Sequence, residues 1–97
     1  MKHLITEIQR LTVIEKKSLL EITLKTTEET GELAQAVLSA NGSSGASYKN
    51  LTLEDVREET VDILICVLSV YFKAGGRIED LEGLIQKKTT KWASKQQ

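Results

Sequence analysis

Apolar positions recur along this chain at intervals of three and four residues, the spacing that gathers side chains on one side of an α-helix. Leu4, Ile8 and Leu11 mark such a face near the start. Leu19, Leu20, Ile22 and Leu24 form a second, and Leu33, Ala36 and Val37 take it up again. Thr12, with Glu15 three residues on, has the form of a capping box and predicts that a long second helix begins there. Asn41-Gly42 predicts its end after Ala40. Residues 41–50, NGSSGASYKN, read as loop, rich in Gly and Ser and without a large aliphatic side chain. Thr52 with Asp55 predicts the cap of a third helix, and Gly75-Gly76 its stop after Ala74. A fourth helix is expected from about Ile78 to Ser94. No segment alternates with the period of a strand, and no repeat is present. The expectation is an all-α protein in which residues 1–97 form one domain of four helices. Its two long central helices, joined by a single loop, should pack antiparallel.

The third helix departs from the one-sided pattern. From Ile63 to Phe72 the chain reads ILICVLSVYF, apolar on nearly every side, with Ser69 the one small polar interruption. A helix that is apolar all round has to be covered all round. A chain of 97 residues has few other elements to do so. A homo-oligomer is the expected cover, with the alternative that this helix sits at the centre of a monomeric bundle.

Composition narrows the function classes. Thirteen basic and fourteen acidic residues leave a net charge of −1, without the basic stripe of a protein that grips a nucleic-acid polymer. The apolar run at 63–72 is far shorter than the roughly 20 residues needed to span a bilayer, so no membrane partner is expected. MKHLITEIQR lacks the apolar core of a secretory signal. Cys66 is the single cysteine, which excludes an internal disulfide and fits a reducing compartment. A cytoplasmic location is therefore expected.

Candidate chemistry interrupts the apolar pattern twice. Lys25-Thr-Thr-Glu-Glu-Thr-Gly-Glu32 contains no large apolar side chain although it lies inside the second helix, and Arg57-Glu-Glu-Thr60 with Asp62 does the same in the third. Glu29 with Glu32, and Glu59 with Asp62, stand three residues apart. That places each pair about 60° apart around its axis, one turn above the other, within reach of one ion. Most charge runs are solvated faces. Here, however, Glu32 and Asp62 border the apolar stripe, and Gly31 sits mid-helix, where glycine usually marks close packing or function. Four carboxylates meeting between antiparallel helices would repel one another unless a divalent cation joined them. The donor set is all oxygen, and the only histidine, His3, is remote. This favours Mg²⁺, with Mn²⁺ as a substitute, over zinc or iron. Mg²⁺ shares its shell readily with phosphates, which points to phosphoryl chemistry. On the fourth helix Leu81, Ile85, Lys88, Trp92 and Lys95 share one stripe. Lys88 is placed either to meet phosphate oxygens or to extend over the surface, and Trp92 either to anchor a core or to stack on a base. Lys25, one turn before Glu29, has the same two readings.

The pattern Glu28-Glu29-x-x-Glu32, followed after one loop by Glu59-x-x-Asp62, resembles the MazG-like all-α nucleoside triphosphate pyrophosphohydrolases. The resemblance runs through KTTEETGELAQA and EETVDILICVL and, more weakly, into the last helix. It implies a MazG-like bundle that ligates Mg²⁺ through Glu29, Glu32, Glu59 and Asp62. It also implies hydrolysis of nucleoside triphosphates, dNTPs or non-standard ones, to monophosphate and pyrophosphate in a nucleotide house-cleaning role. Family members are dimers or tetramers. Lys88 and Lys95 match the family's basic positions, while Trp92 falls where many relatives carry Asn. Glu28 is the candidate to accept the proton of the attacking water. Two other readings stand beside this one: a phosphoribosyl-ATP pyrophosphohydrolase, and a non-catalytic oligomeric helical module that senses a nucleotide or mediates an interaction.

Overall fold

A computed structural model describes residues 1–42 and 50–96. Four helices account for nearly all of them: α1 (Lys2–Ile14), α2 (Leu19–Ala40), α3 (Leu53–Lys73) and α4 (Ile78–Lys95). No strand occurs among the described residues. Residues 43–49 of the expected loop lie outside them.

The start of α2 differs from expectation. Thr12 does not cap α2; it lies within α1, and its hydroxyl donates to the Ile8 carbonyl at 2.7 Å. The chain leaves α1 at Glu15, whose backbone is extended. The capping box belongs to Ser18 and Glu21 instead. The Glu21 amide donates to Ser18 Oγ and the Ser18 amide to Glu21 Oε1 at 2.9 Å. Ser/Thr-x-x-Glu therefore occurs twice within ten residues, and tertiary contact decides between the copies. Thr12 is buried beside Ser69 of α3, 3.2 Å away, whereas Ser18 is free to turn. The expected box at the head of α3 is present, with the Asp55 amide donating to Thr52 Oγ1 and the Thr52 amide to Asp55 Oδ2.

The expected stop of α3 is a Schellman closure. The Gly75 amide donates to the Phe72 carbonyl and the Gly76 amide to the Tyr71 carbonyl. Gly75 has φ +90°, which a side chain would resist. Gly76 is tight for another reason. A Cβ there would lie 2.5 Å from the Tyr71 ring, which is held by its own hydroxyl donating to the Arg77 carbonyl.

α2 and α3 form the most extensive helix pair. Ser39 accepts from the Leu51 amide at 2.9 Å near one end, and Glu29 meets Glu59 and Asp62 further along. Rising numbers on one helix face falling numbers on the other, so the pair is antiparallel. α1 lies along α3 in the same sense, tied by Thr12 to Ser69 and by Lys73 Nζ donating to the Glu15 carbonyl at 2.8 Å. α4 is attached only lightly, chiefly to α1, and has no buried residue.

The interior is small. Among the described residues the buried apolar side chains are Ile22, Ala36 and Phe72. Val61, Leu64, Ile65 and Val67 of α3 are all exposed. The stripe expected to point α4 inward faces outward in the single chain: Ile85 is 55% and Trp92 66% exposed.

Candidate metal centre

Helical spacing on both long helices builds one continuous groove. On α2, Ile22, Lys25, Glu29 and Glu32 follow one another at three- and four-residue steps. On α3, Glu59, Asp62, Cys66 and Ser69 do the same. Antiparallel packing sets the two rows side by side. One carboxylate oxygen from each of Glu29, Glu59 and Asp62 lies within 4.8 Å of the other two. Glu29 is buried, Glu59 half-buried and Asp62 exposed, so the cluster opens at one side. Of the two doublets, Glu29 and Glu59 turn into the groove while Glu28 and Glu58 are exposed.

The electrostatic burden of this cluster falls on Glu59. Glu59 Oε2 is buried and has no hydrogen-bond partner. Burial raises the Glu59 carboxyl above its ordinary value, and the charges of Glu32, Asp62, Glu29 and Asp55 push it further the same way. Lys25 is the cation bonded to the cluster, its Nζ 3.1 Å from Glu29 Oε1. That hydrogen bond, with the charges of Glu28, Glu29 and Glu32, holds the Lys25 ammonium above its usual range. An orphaned buried oxygen among three converging carboxylates is what a hard divalent cation would satisfy, and the donors suit Mg²⁺ or Mn²⁺. The nearby thiol does not change this. Burial, followed by the charge of Glu29, pushes Cys66 up, which keeps it a neutral S–H.

The other expected site residues are dispersed. Glu32 is exposed and outside the set of three, but near enough for its charge to act on Glu59. Glu28 lies on the outer side of α2, within the field of Lys25. Lys25 is occupied by Glu29. Lys88, Trp92 and Lys95 are exposed on α4, and the charges acting on Glu59 come from α2 and α3. Gly31 is not a close-packing position in the single chain, since a Cβ added there meets nothing within 4 Å.

Beside the acids, a half-open pocket of about 180 Å³ lies between α1, α2 and α3. Lys25 and Cys66 line its near side, and Thr12 and Ser69 its wall on α1 and α3. The sequence pattern predicts Thr12 as a cap and shows Ser69 only as a small polar interruption of the apolar run. The available signal was spacing: Asp62, Cys66 and Ser69 form one polar row along a helix that is otherwise apolar. No family model, curated protein or solved structure matches this chain.

Proposed function

We propose that this chain is a Mg²⁺-dependent nucleoside triphosphate pyrophosphohydrolase acting as a homo-oligomer, cleaving its substrate to monophosphate and pyrophosphate. The observation that carries the reading is the convergence of Glu29, Glu59 and Asp62 from two helices, with Glu59 Oε2 left unpartnered. Evenly solvated acids would not leave a buried oxygen without a hydrogen-bond partner. These three are the residues that would hold the cation, with Glu32 near enough for its charge to act on Glu59. When bound, it would neutralise triphosphate charge and lower the pKa of an attacking water.

The chain's own groups supply the rest. Lys25 stands at the junction of the acid cluster and the cavity, where its ammonium can orient phosphate oxygens. On this reading Glu28, exposed on the outer side of α2, is the candidate to take the proton from water as its oxygen bonds to phosphorus and the α–β anhydride breaks. Lys88, Lys95 and Trp92 lie outside this constellation in the single chain. They reach substrate only if assembly brings an α4 to the groove.

Assembly is supported by surface area. The chain exposes 7352 Å², whereas a compact monomer of 10.8 kDa exposes about 5,500 Å². The excess, roughly 1,800 Å², is more than one partner's share of a standard interface, about 800 Å². The radius of gyration, 15.9 Å, also exceeds the roughly 12.5 Å of a compact chain this long.

The test is a panel of nucleoside triphosphates and phosphoribosyl-ATP incubated with Mg²⁺, scored for pyrophosphate against orthophosphate. Pyrophosphate that disappears in Glu29→Gln and Asp62→Asn, with helicity retained, is the expected result. Orthophosphate as product, or unchanged turnover in those variants, refutes it. Preference for phosphoribosyl-ATP would reassign the substrate. Binding without turnover would leave a nucleotide-sensing module.

A further inference from the structure

We infer that the Lys25 ammonium and a divalent cation compete for the Glu29 carboxylate, and that the displaced ammonium is taken by oxygens of the triphosphate. The inference rests on the metal-dependent reading above and deepens it by giving the site an order of assembly: metal first, then substrate.

Position is the first argument. Lys25 stands one turn before Glu29 on α2, with its Nζ 3.1 Å from Glu29 Oε1. Glu29 is one of the three acids that converge, so the oxygen pair that would ligate a metal is the pair that holds the lysine. Among the described residues, Lys25 is the one cation paired with these acids. The two partners are held unequally. The Glu29 side chain is 11% exposed, whereas that of Lys25 is 45% exposed. The carboxylate is fixed by its surroundings, and the ammonium is the partner that can leave. It also lines the half-open pocket beside the acids, on the side from which a phosphate chain can approach it.

Charge is the second. Mg²⁺ and carboxylate oxygen sit about 2.1 Å apart. On the oxygen that bonds Lys25, a metal would stand no more than about 5 Å from the ammonium. Charges of +2 and +1 that close repel by more than the thermal energy even in water. On the other oxygen of the same carboxylate, the two would still lie within the roughly 8 Å screening length of physiological salt. Lysine and metal therefore oppose each other whichever oxygen each takes.

Strength decides between them. An exposed ion pair four residues apart on a helix is among the weakest in proteins. Lys25 also does not satisfy the whole cluster, because it bonds Glu29 and leaves Glu59 Oε2 without a partner. A dication shared by three carboxylates meets both needs, so the lysine yields. Once off Glu29, its ammonium regains a full partner only from another anion, and the substrate brings one.

The experiment reads metal and anion binding without turnover. Mn²⁺ titrations followed by electron paramagnetic resonance compare the parent chain with Lys25→Met and Lys17→Met, helicity being checked by circular dichroism. Lys17 lines the same pocket and serves as the control for general charge. Lys25→Met should bind Mn²⁺ about two- to fivefold more tightly, the scale of an exposed ion pair, and Lys17→Met should match the parent. With Mn²⁺ saturating, inorganic triphosphate should bind Lys25→Met roughly tenfold more weakly than the parent, the scale of a lost charge-assisted hydrogen bond. The opposite signs are the signature, since a lysine that only shaped the site would weaken both ligands on removal. Unchanged or weaker Mn²⁺ binding in Lys25→Met overturns the inference, as does equal tightening in Lys17→Met or unchanged triphosphate affinity. A parent chain that binds no Mn²⁺ removes the metal centre and the inference with it. Binding as expected with no nucleotide cleaved sinks the pyrophosphohydrolase reading and leaves the competition standing.

Discussion

Glu59 concentrates the physics of the site in one side chain. Its proton affinity is higher in the folded chain than in the unfolded one, because burial and neighbouring acids penalise its charge. A carboxyl shifted in that direction stabilises the fold fully below its ordinary value of 4.5, and the contribution is lost as pH rises through the higher folded-state value. In chelator at neutral pH, Glu59→Gln should therefore melt above the parent chain, and the gap should close as pH falls toward 4.5. Adding Mg²⁺ should raise the melting temperature of the parent and leave the variant nearly unmoved, since a ligand bound only by the native state stabilises by mass action. Melting curves across pH, with and without Mg²⁺, measure both effects. A variant that melts below the parent in chelator at neutral pH would show that this carboxylate is not under strain.

Two glycines separate what a helix needs from what its surroundings need. At Gly76 the space is filled by the Tyr71 ring. Gly76→Ala should therefore destabilise by about 1–3 kcal/mol, the usual cost of overpacking, read as a lower denaturant midpoint. At Gly31 the helix alone sets the sign, because the space around a Cβ is open. Gly31→Ala should stabilise by about 1 kcal/mol through helix propensity, a rise of roughly 4–8 °C in Tm for a domain of this size. The helix ends follow the same division. Ser18 and Glu21 satisfy each other locally, whereas the carbonyl of Glu15, the C-cap of α1, is bonded by Lys73 from a distant part of the chain.

At the scale of the molecule, too little is buried. Among the described residues three apolar side chains form the interior, and Val61, Leu64 and Val67 expose much of α3. An isolated surface substitution normally changes stability by no more than about 0.5 kcal/mol. Under a covering second copy, Leu64→Glu would instead bury an unpaired charge and dissociate the assembly. Sedimentation should show the parent chain as an oligomer, with a melting temperature that rises with protein concentration. The Leu64→Glu variant should sediment as a smaller species. A monomeric parent with a concentration-independent melt would contradict the assembly.

Amino-acid order alone was enough for the helix content, the C-terminal end of α2 and both ends of α3. These depend on contacts within a few residues: three-to-four periodicity, the Thr52–Asp55 box and the glycines at 75 and 76. Order alone also marked the acids of 28–32 and 58–62 as chemistry out of place in an apolar pattern, but it counted Glu32 with Glu29, Glu59 and Asp62, and the choice within each doublet came from the family resemblance. It could not choose between the two Ser/Thr-x-x-Glu boxes, because both satisfy the same local rule and only the burial of Thr12 against Ser69 tells them apart. Nor could it reveal that Gly31 faces open space, that α4 leaves its apolar stripe uncovered, or that Cys66 and Ser69 line a cavity beside the acids. Those features depend on which faces of separate helices meet. Residues far apart in the chain become neighbours only when the helices pack.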